Sequence, residues 1–269
     1  MTAATPLSVS PLTMFDAAAP DQVSAAAEAG FGAVGLRVWS DPDEPSQPLL
    51  ADTPLRRETK RRLEATGLAV LDVELIRLRP GAPPDEALRI LDAGAYFGAS
   101  FVLVVGADPD EGRLVDRYAA VCEAAAERGL RACLEFMAFT EVRSVAAAVR
   151  VVEAAGHPAG AVLVDPLHLR RCGGSPDDVA ALAPERLPYA QLCDAPLEPA
   201  DPAQPMAEAR TGRLLPGDGE LPLRELLAVL PAETALSVET PVAALAGRPA
   251  AERARLAFAA ATALLAGVR

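Results

Sequence analysis

Lysine is almost missing from this chain: among 25 basic residues only Lys60 is one, and 37 acidic residues leave a formal net charge of −12. A phosphate backbone recruits Lys and Arg in excess, so this balance argues against nucleic acid as a partner. Histidine is nearly as scarce, with His157 and His168 the two present. The cysteines, Cys122, Cys133, Cys172 and Cys193, form no C-x-x-C pair, which favours reduced, packed thiols over disulfides or a structural zinc site. No run reaches the roughly 18 uncharged apolar residues a membrane span needs. The longest candidate, Leu256 to Val268, falls short and follows Arg255. Met1-Thr-Ala-Ala-Thr-Pro-Leu7 places no basic stretch ahead of an apolar one, so no secretory signal is expected and a cytoplasmic location is. The first strand is followed by no G-x-G-x-x-G, the fingerprint of a dinucleotide-binding sheet.

What is present is apolar and periodic. Hydrophobic residues make up 51% of the 269, which argues against disorder. The abundance of Ala and Pro beside so little Lys matches a GC-rich bacterial genome. Strand-like runs alternate with longer amphipathic segments about eight times. The spacing predicts strands over Leu7–Leu12, Phe31–Val38, Leu68–Leu75 and Phe101–Val105. Helices are predicted over Asp21–Ala29, from Pro54 (capped by Thr53) to Gly67, and over Pro84–Phe97 and Val115–Arg128. The second half adds helices over Val142–Ala155, Pro176–Leu182 (N-cap Ser175), Leu223–Val229 and Ala250–Leu265. Such alternation implies parallel pairing by right-handed crossovers, and eight units in a chain of about 250 residues fit a single (β/α)8 TIM barrel, 1–269, better than an open doubly wound sheet. Two connections are long: Ser40 to Ala51, rich in Pro and Asp, and Ala195 to Gly219, whose length suggests function.

Four apolar runs end on oxygen-bearing side chains. Ala161-Val-Leu-Val-Asp-Pro-Leu-His-Leu169 stops at Asp165, with His168 three residues on. Leu130–Glu135 ends on Glu135, Leu187–Gln191 on Gln191, and Thr234–Glu239 on Glu239. One polar strand end is unremarkable, since strands meet solvent there; four in succession ask for a cause. In a barrel these ends converge on the face that carries the active site. Alternation turns Glu135, Cys133 and Arg131 inward and Leu134 and Ala132 toward the helices, and puts Ser237 on the face of Glu239, away from Val238 and Leu236. Three carboxylates facing one another repel unless protonated or neutralised, and a divalent cation neutralises them. Oxygen donors suit Mg²⁺, Mn²⁺ or Co²⁺, with Zn²⁺ also compatible.

The set Glu135, Asp165-x-x-His168, Gln191-x-x-Asp194, Arg213-x-x-Pro-Gly217-x-Gly219 and Glu239 resembles the xylose isomerase-like TIM barrel superfamily, in particular its sugar (phosphate) isomerase/epimerase group. The resemblance covers nearly the whole chain and is clearest from Leu130 to Pro241. It implies one divalent metal held by Glu135, Asp165, Gln191 and Glu239, although most members have His where this chain has Gln191. The segment Gln191-Leu-Cys-Asp-Ala-Pro196 is similar to that of bacterial 3-dehydroshikimate dehydratases. A metal chelating a carbonyl and its neighbouring hydroxyl acidifies the carbon between them and stabilises an enediolate. Glu135 and Glu239 are then the acid–base pair. Proton return gives epimerisation or isomerisation of a sugar or hydroxy-ketone, the leading expectation; loss of a β-hydroxyl gives dehydration, the alternative. The resemblance assigns His168 and Arg213 to substrate binding, with Arg210 able to replace the latter. Glu74, Glu141 and Asp194 rank lower as surface-type carboxylates, and His157 reads as structural.

Other classes remain. Endonuclease IV shares the fold, but its histidine-rich metal cluster and basic DNA face are missing here. A barrel without catalysis, serving as a binding protein, would not need four retained donors. A homo-oligomer is compatible with everything above.

Overall fold

The computed structural model describes residues 6–39 and 49–267; residues 40–48 of the Pro- and Asp-rich connection fall outside it. Its strands are β1 (Ser8–Val9), β2 (Ala33–Arg37), β3 (Ala69–Leu78), β4 (Phe101–Gly106), β5 (Arg131–Glu135), β6 (Gly160–Leu163), β7 (Tyr189–Leu192) and β8 (Ala235–Val238). They form one sheet in the order β6-β5-β4-β3-β2-β1-β8-β7, every pair parallel. A parallel bridge between Val164 and Ala190, with Gln191 N–H donating to the Val164 carbonyl at 2.9 Å, joins the two ends. The sheet is therefore closed, and the open alternative is overturned.

The helices are α1 (Ala19–Ala29), α2 (Pro54–Thr66), α3 (Pro84–Phe97), α4 (Glu111–Glu127), α5 (Val145–Ala155), α6 (Pro166–Arg171), α7 (Pro176–Ala180), α8 (Pro205–Thr211), α9 (Leu223–Val229) and α10 (Ala250–Ala266). Among the described residues, no helix is long and apolar enough to cross a membrane. Caps set several boundaries. Thr53 Oγ1 accepts from Arg56 N–H and opens α2, and the Ser175–Asp178 capping box opens α7. Three starts differ from the periodicity: α1 begins two residues early, at Ala19 with Pro20 in its first turn, α4 four residues early because Asp110 caps it, and α5 three residues late because Ser144 does. The first strand shrinks to two residues because Ser10 caps a 3₁₀ turn over Pro11–Met14, with proline at its first position.

Burial follows the pleat. Val34, Leu36, Val102, Leu134, Val162 and Val238 belong to the layer between strands and helices, whereas Ala33, Leu71, Leu103, Cys133, Leu163 and Tyr189 fill the barrel interior. Cys133 inside and Ala132 and Leu134 outside match the expected alternation. All four cysteines are free.

Candidate active site

A cavity of about 570 Å³ opens at the C-terminal strand ends and is lined by Glu74, Glu135, His168, Arg213 and Glu239. Glu135 closes β5, Glu239 follows β8 directly, and Asp165 lies two residues past the end of β6. Asp165 is fixed by the local sequence. In Asp165-Pro166 it is the N-cap of α6 with proline at the first helical position, and its Oδ1 accepts from His168 N–H at 3.0 Å. Gln191, in β7, is 2% exposed, and its Oε1 has no hydrogen-bond donor.

Arg213 ties the site together. It is fully buried. Its Nε donates to the Ala209 carbonyl at 2.8 Å. Its Nη1 donates to Asp165 Oδ2, and its Nη2 stands 2.8 Å from Glu239 Oε2 and 3.4 Å from His168 Nε2. Burial opposes the guanidinium charge, but Asp165, Cys193 and Glu239 outweigh it. Burial likewise raises the Asp165 carboxyl, yet Arg213 and His168 hold it below its ordinary value. Glu135 has no such partner: burial and the charges of Glu239 and Asp165 push it well up. Burial also raises Glu239, against the pull of Arg213. His168 Nε2 is 3.8 Å from Glu135 Oε1, but burial drives the imidazole down to about 4, so at neutral pH this is a polar contact and not an ion pair.

Three participants were given little or no weight by sequence reasoning. Ser10 Oγ lies 2.7 Å from Glu239 Oε1 and 3.1 Å from Glu74 Oε1. A hydroxyl has one proton, so when Ser10 donates to Glu239 its contact with Glu74 is satisfied by a protonated Glu74. Burial first, then Glu239, pushes Glu74 up to about 7, against Arg37 and Ser10. Arg37, the cross-strand partner of Glu74, places Nη1 3.7 Å from it. The signal for Glu74 was in the chain: Asp72 and Glu74 recur two residues apart within an otherwise apolar strand, which aims both the same way.

The other candidates fall elsewhere. Asp194 accepts from the N–H groups of Ala195, Gly217 and Leu221 at 2.8–3.0 Å, so it clamps the long loop. That loop is not structureless, since it contains α8. Arg210 lines the cavity and is exposed. Glu141 is exposed, and His157 Nδ1 accepts from Ala159 N–H, a local structural contact.

The donor chemistry fits a hard divalent cation, with three buried carboxylates and an unpartnered amide oxygen against a single guanidinium. As placed, however, Asp165 and Glu239 both bind that guanidinium. Among the described residues no three His, Cys, Asp or Glu side chains form a ready-made metal cage.

Known proteins share this architecture. The chain is 28% identical over 222 residues to a 3-dehydroshikimate dehydratase of Pseudomonas putida, covering 78% of this chain and 33% of that protein, so it spans about a third of that relative's length. A solved fusion of a xylose isomerase-like TIM barrel with a 4-hydroxyphenylpyruvate dioxygenase superposes with a TM-score of 0.83 at 24% identity, over 99% of this chain and 44% of that one. The IolI protein with a bound zinc atom gives 0.80 at 15%, over 98% and 99%. D-allulose 3-epimerase of Methylomonas sp. gives 0.70 at 16%, over 96% of both. At these identities the structures speak for the fold alone. The family model described as xylose isomerase-like TIM barrel matches residues 23–261, and the chain belongs to that family.

Proposed function

We propose that this barrel is an enzyme that removes and returns a proton beside the carbonyl of a small hydroxy-ketone, with Glu135 and Glu239 as its acid–base pair. The observation that carries the reading is that both carboxyls are buried, line one cavity and are held above their ordinary pKa, the direction in which carboxyls are tuned for proton exchange. Glu135, Asp165, Gln191 and Glu239 are the residues that would hold a divalent cation. When bound, it would polarise the carbonyl and acidify the adjacent C–H. His168, neutral and buried beside Glu135, is placed to contact a substrate oxygen.

Of the outcomes open to this chemistry, dehydration of a carboxylated ring of the 3-dehydroshikimate type is best supported. The walls combine apolar side chains, including Leu12, Phe15, Leu103, Val105, Met137 and Phe139, which suit the face of a ring, with Arg37, Arg77, Arg210 and Arg253, which suit a carboxylate. The Pseudomonas putida relative carries that activity's name. Loss of one water from such a ring leaves a catechol acid after tautomerisation. Sugar isomerisation or epimerisation is the second reading, favoured by carboxylates on β5 and after β8, which flank the cavity from two directions.

The test is incubation of the purified protein, with and without added Mn²⁺, with 3-dehydroshikimate and separately with ketohexoses in D₂O. The expected result is growth of catechol ultraviolet absorbance that is abolished by a chelator and restored by the metal. Deuterium entering a ketose without that absorbance would move the assignment to the second reading. No reaction and no exchange in any arm would refute the acid–base role itself.

A further inference from the structure

A closed barrel of this kind is ordinarily filled by bulky branched side chains. On three neighbouring strands this one is not: its inward positions there include Ser8 on β1, Ala33 and Gly35 on β2, and Ala235 and Ser237 on β8. Beneath Glu74 and Glu239 the barrel interior is thus lined on this side by small residues, several of them polar. Ser8 Oγ, Asp72 Oδ1, Tyr189 OH and Ser237 Oγ are buried atoms with no hydrogen-bond partner in the protein. All four side chains belong to residues at most 1% exposed.

These groups are neighbours. Ser8 and Ser237 are cross-strand partners, about 4.8 Å apart at the backbone, with both side chains facing inward. Ser8 pairs on its other side with Ala33, and two residues on, a Cβ added to Gly35 would sit 2.8 Å from Asp72 Oδ1. The Asp72 carboxyl therefore lies over the glycine, one inward step along the barrel from the serine pair. Tyr189 stands two residues before Gln191, itself the cross-strand partner of Ser237. No hydrogen bond joins the Tyr189 hydroxyl to any of the other three.

Buried polar groups without partners mark an ordered water or an ion. The chemistry separates the two. Three of the four are hydroxyls, which must donate as well as accept, and a cation offers them nothing to donate to. Burial, then Glu74 and Glu239, push the Asp72 carboxyl well up, which favours its protonated, donating form. A small neutral molecule that accepts and donates satisfies the set.

We propose that the barrel lumen beneath Glu74 and Glu239 is a buried hydration site, in which at least one ordered water bridges Ser8, Asp72, Tyr189 and Ser237. The site keeps the layer under the acid–base residues hydrogen-bonded, and it stands whether or not the reaction assigned above is correct.

The test is a crystal structure at a resolution that resolves waters, with a second data set from crystals soaked in a rubidium salt. The expected result is a density peak within hydrogen-bond distance of at least three of the four oxygens, with no anomalous signal. A lumen without density, in which the four groups turn to bond one another, would overturn the proposal. So would a rubidium peak there, which would make the site a cation site.

Discussion

Arg213 Nη2 stands 2.8 Å from Glu239 Oε2, and the two side chains are 2% and 6% exposed. The same guanidinium reaches Asp165, so one cation compensates two buried carboxylates from different strand ends. Removing one partner of a buried pair leaves an uncompensated charge and costs about 3–5 kcal/mol. Arg213→Met is therefore expected to destabilise metal-free protein by about that amount in urea unfolding. Because the proposed divalent ion would need the same two carboxylates, added Mn²⁺ should raise the unfolding midpoint of the variant more than that of the wild type. Equal metal-induced shifts would show that the guanidinium and the ion do not share those ligands.

Glu135→Gln and Glu239→Gln keep side-chain volume while abolishing proton transfer. Each is expected to lower turnover by about 10²–10⁴ with the circular dichroism spectrum unchanged. Activity within threefold of wild type for either variant would remove it from the acid–base pair.

Glu74 makes stability depend on pH. Its folded pKa of about 7 lies above the ordinary carboxylate value of 4.5. The folded state thus binds the proton more tightly, and the group's contribution is present below about 4.5, declines as pH rises, and is gone above 7. A shift of this size corresponds to about 3 kcal/mol. His168, depressed to about 4, acts oppositely, contributing stability above its ordinary value that is lost as pH falls toward 4. The two partly cancel, so the informative quantity is the difference between Glu74→Gln and wild type in denaturant titrations. The variant should gain about 3 kcal/mol relative to wild type between pH 4.5 and 7.5. A pH-independent difference would contradict the shift.

Gly219 is held where no side chain fits. A Cβ there would lie 2.4 Å from Asp194 Oδ1 and 2.6 Å from the Ala195 carbonyl. Gly219→Ala must push Asp194 away from the N–H groups it accepts from, and so disturb the loop that presents Arg213. The expected result is a destabilisation of about 1–3 kcal/mol, the overpacking range, together with lost turnover. Unchanged stability and activity would mean that the clamp is dispensable.

Much of the fold could be read directly. Pro84–Phe97 and Leu223–Val229 begin and end where their periodicity and punctuation place them, and Thr53 and Ser175 are caps as expected. Errors fell at boundaries governed by one side chain, as where Ser10 or Ser144 captures a backbone N–H and overrides an apolar pattern. At the site, polar residues closing apolar runs singled out Glu135, Asp165, Gln191 and Glu239, all of which are buried in or just past the strands β5 to β8. Glu74 was undervalued because a carboxylate inside a strand resembles a surface residue until the opposite face is known to be a lumen.

The sequence alone determined the barrel and the end of it on which acidic side chains accumulate, because alternation, helical period and capping are set by residues a few positions apart. Only the tertiary structure decided who meets whom. Ser10 contacts Glu239 across 229 positions, and Arg213 binds Asp165 across 48. The first pairing arises because the first strand lies against the last, the second because the long loop after β7 folds back over the end of β6. No local pattern specifies which oxygen then receives which proton.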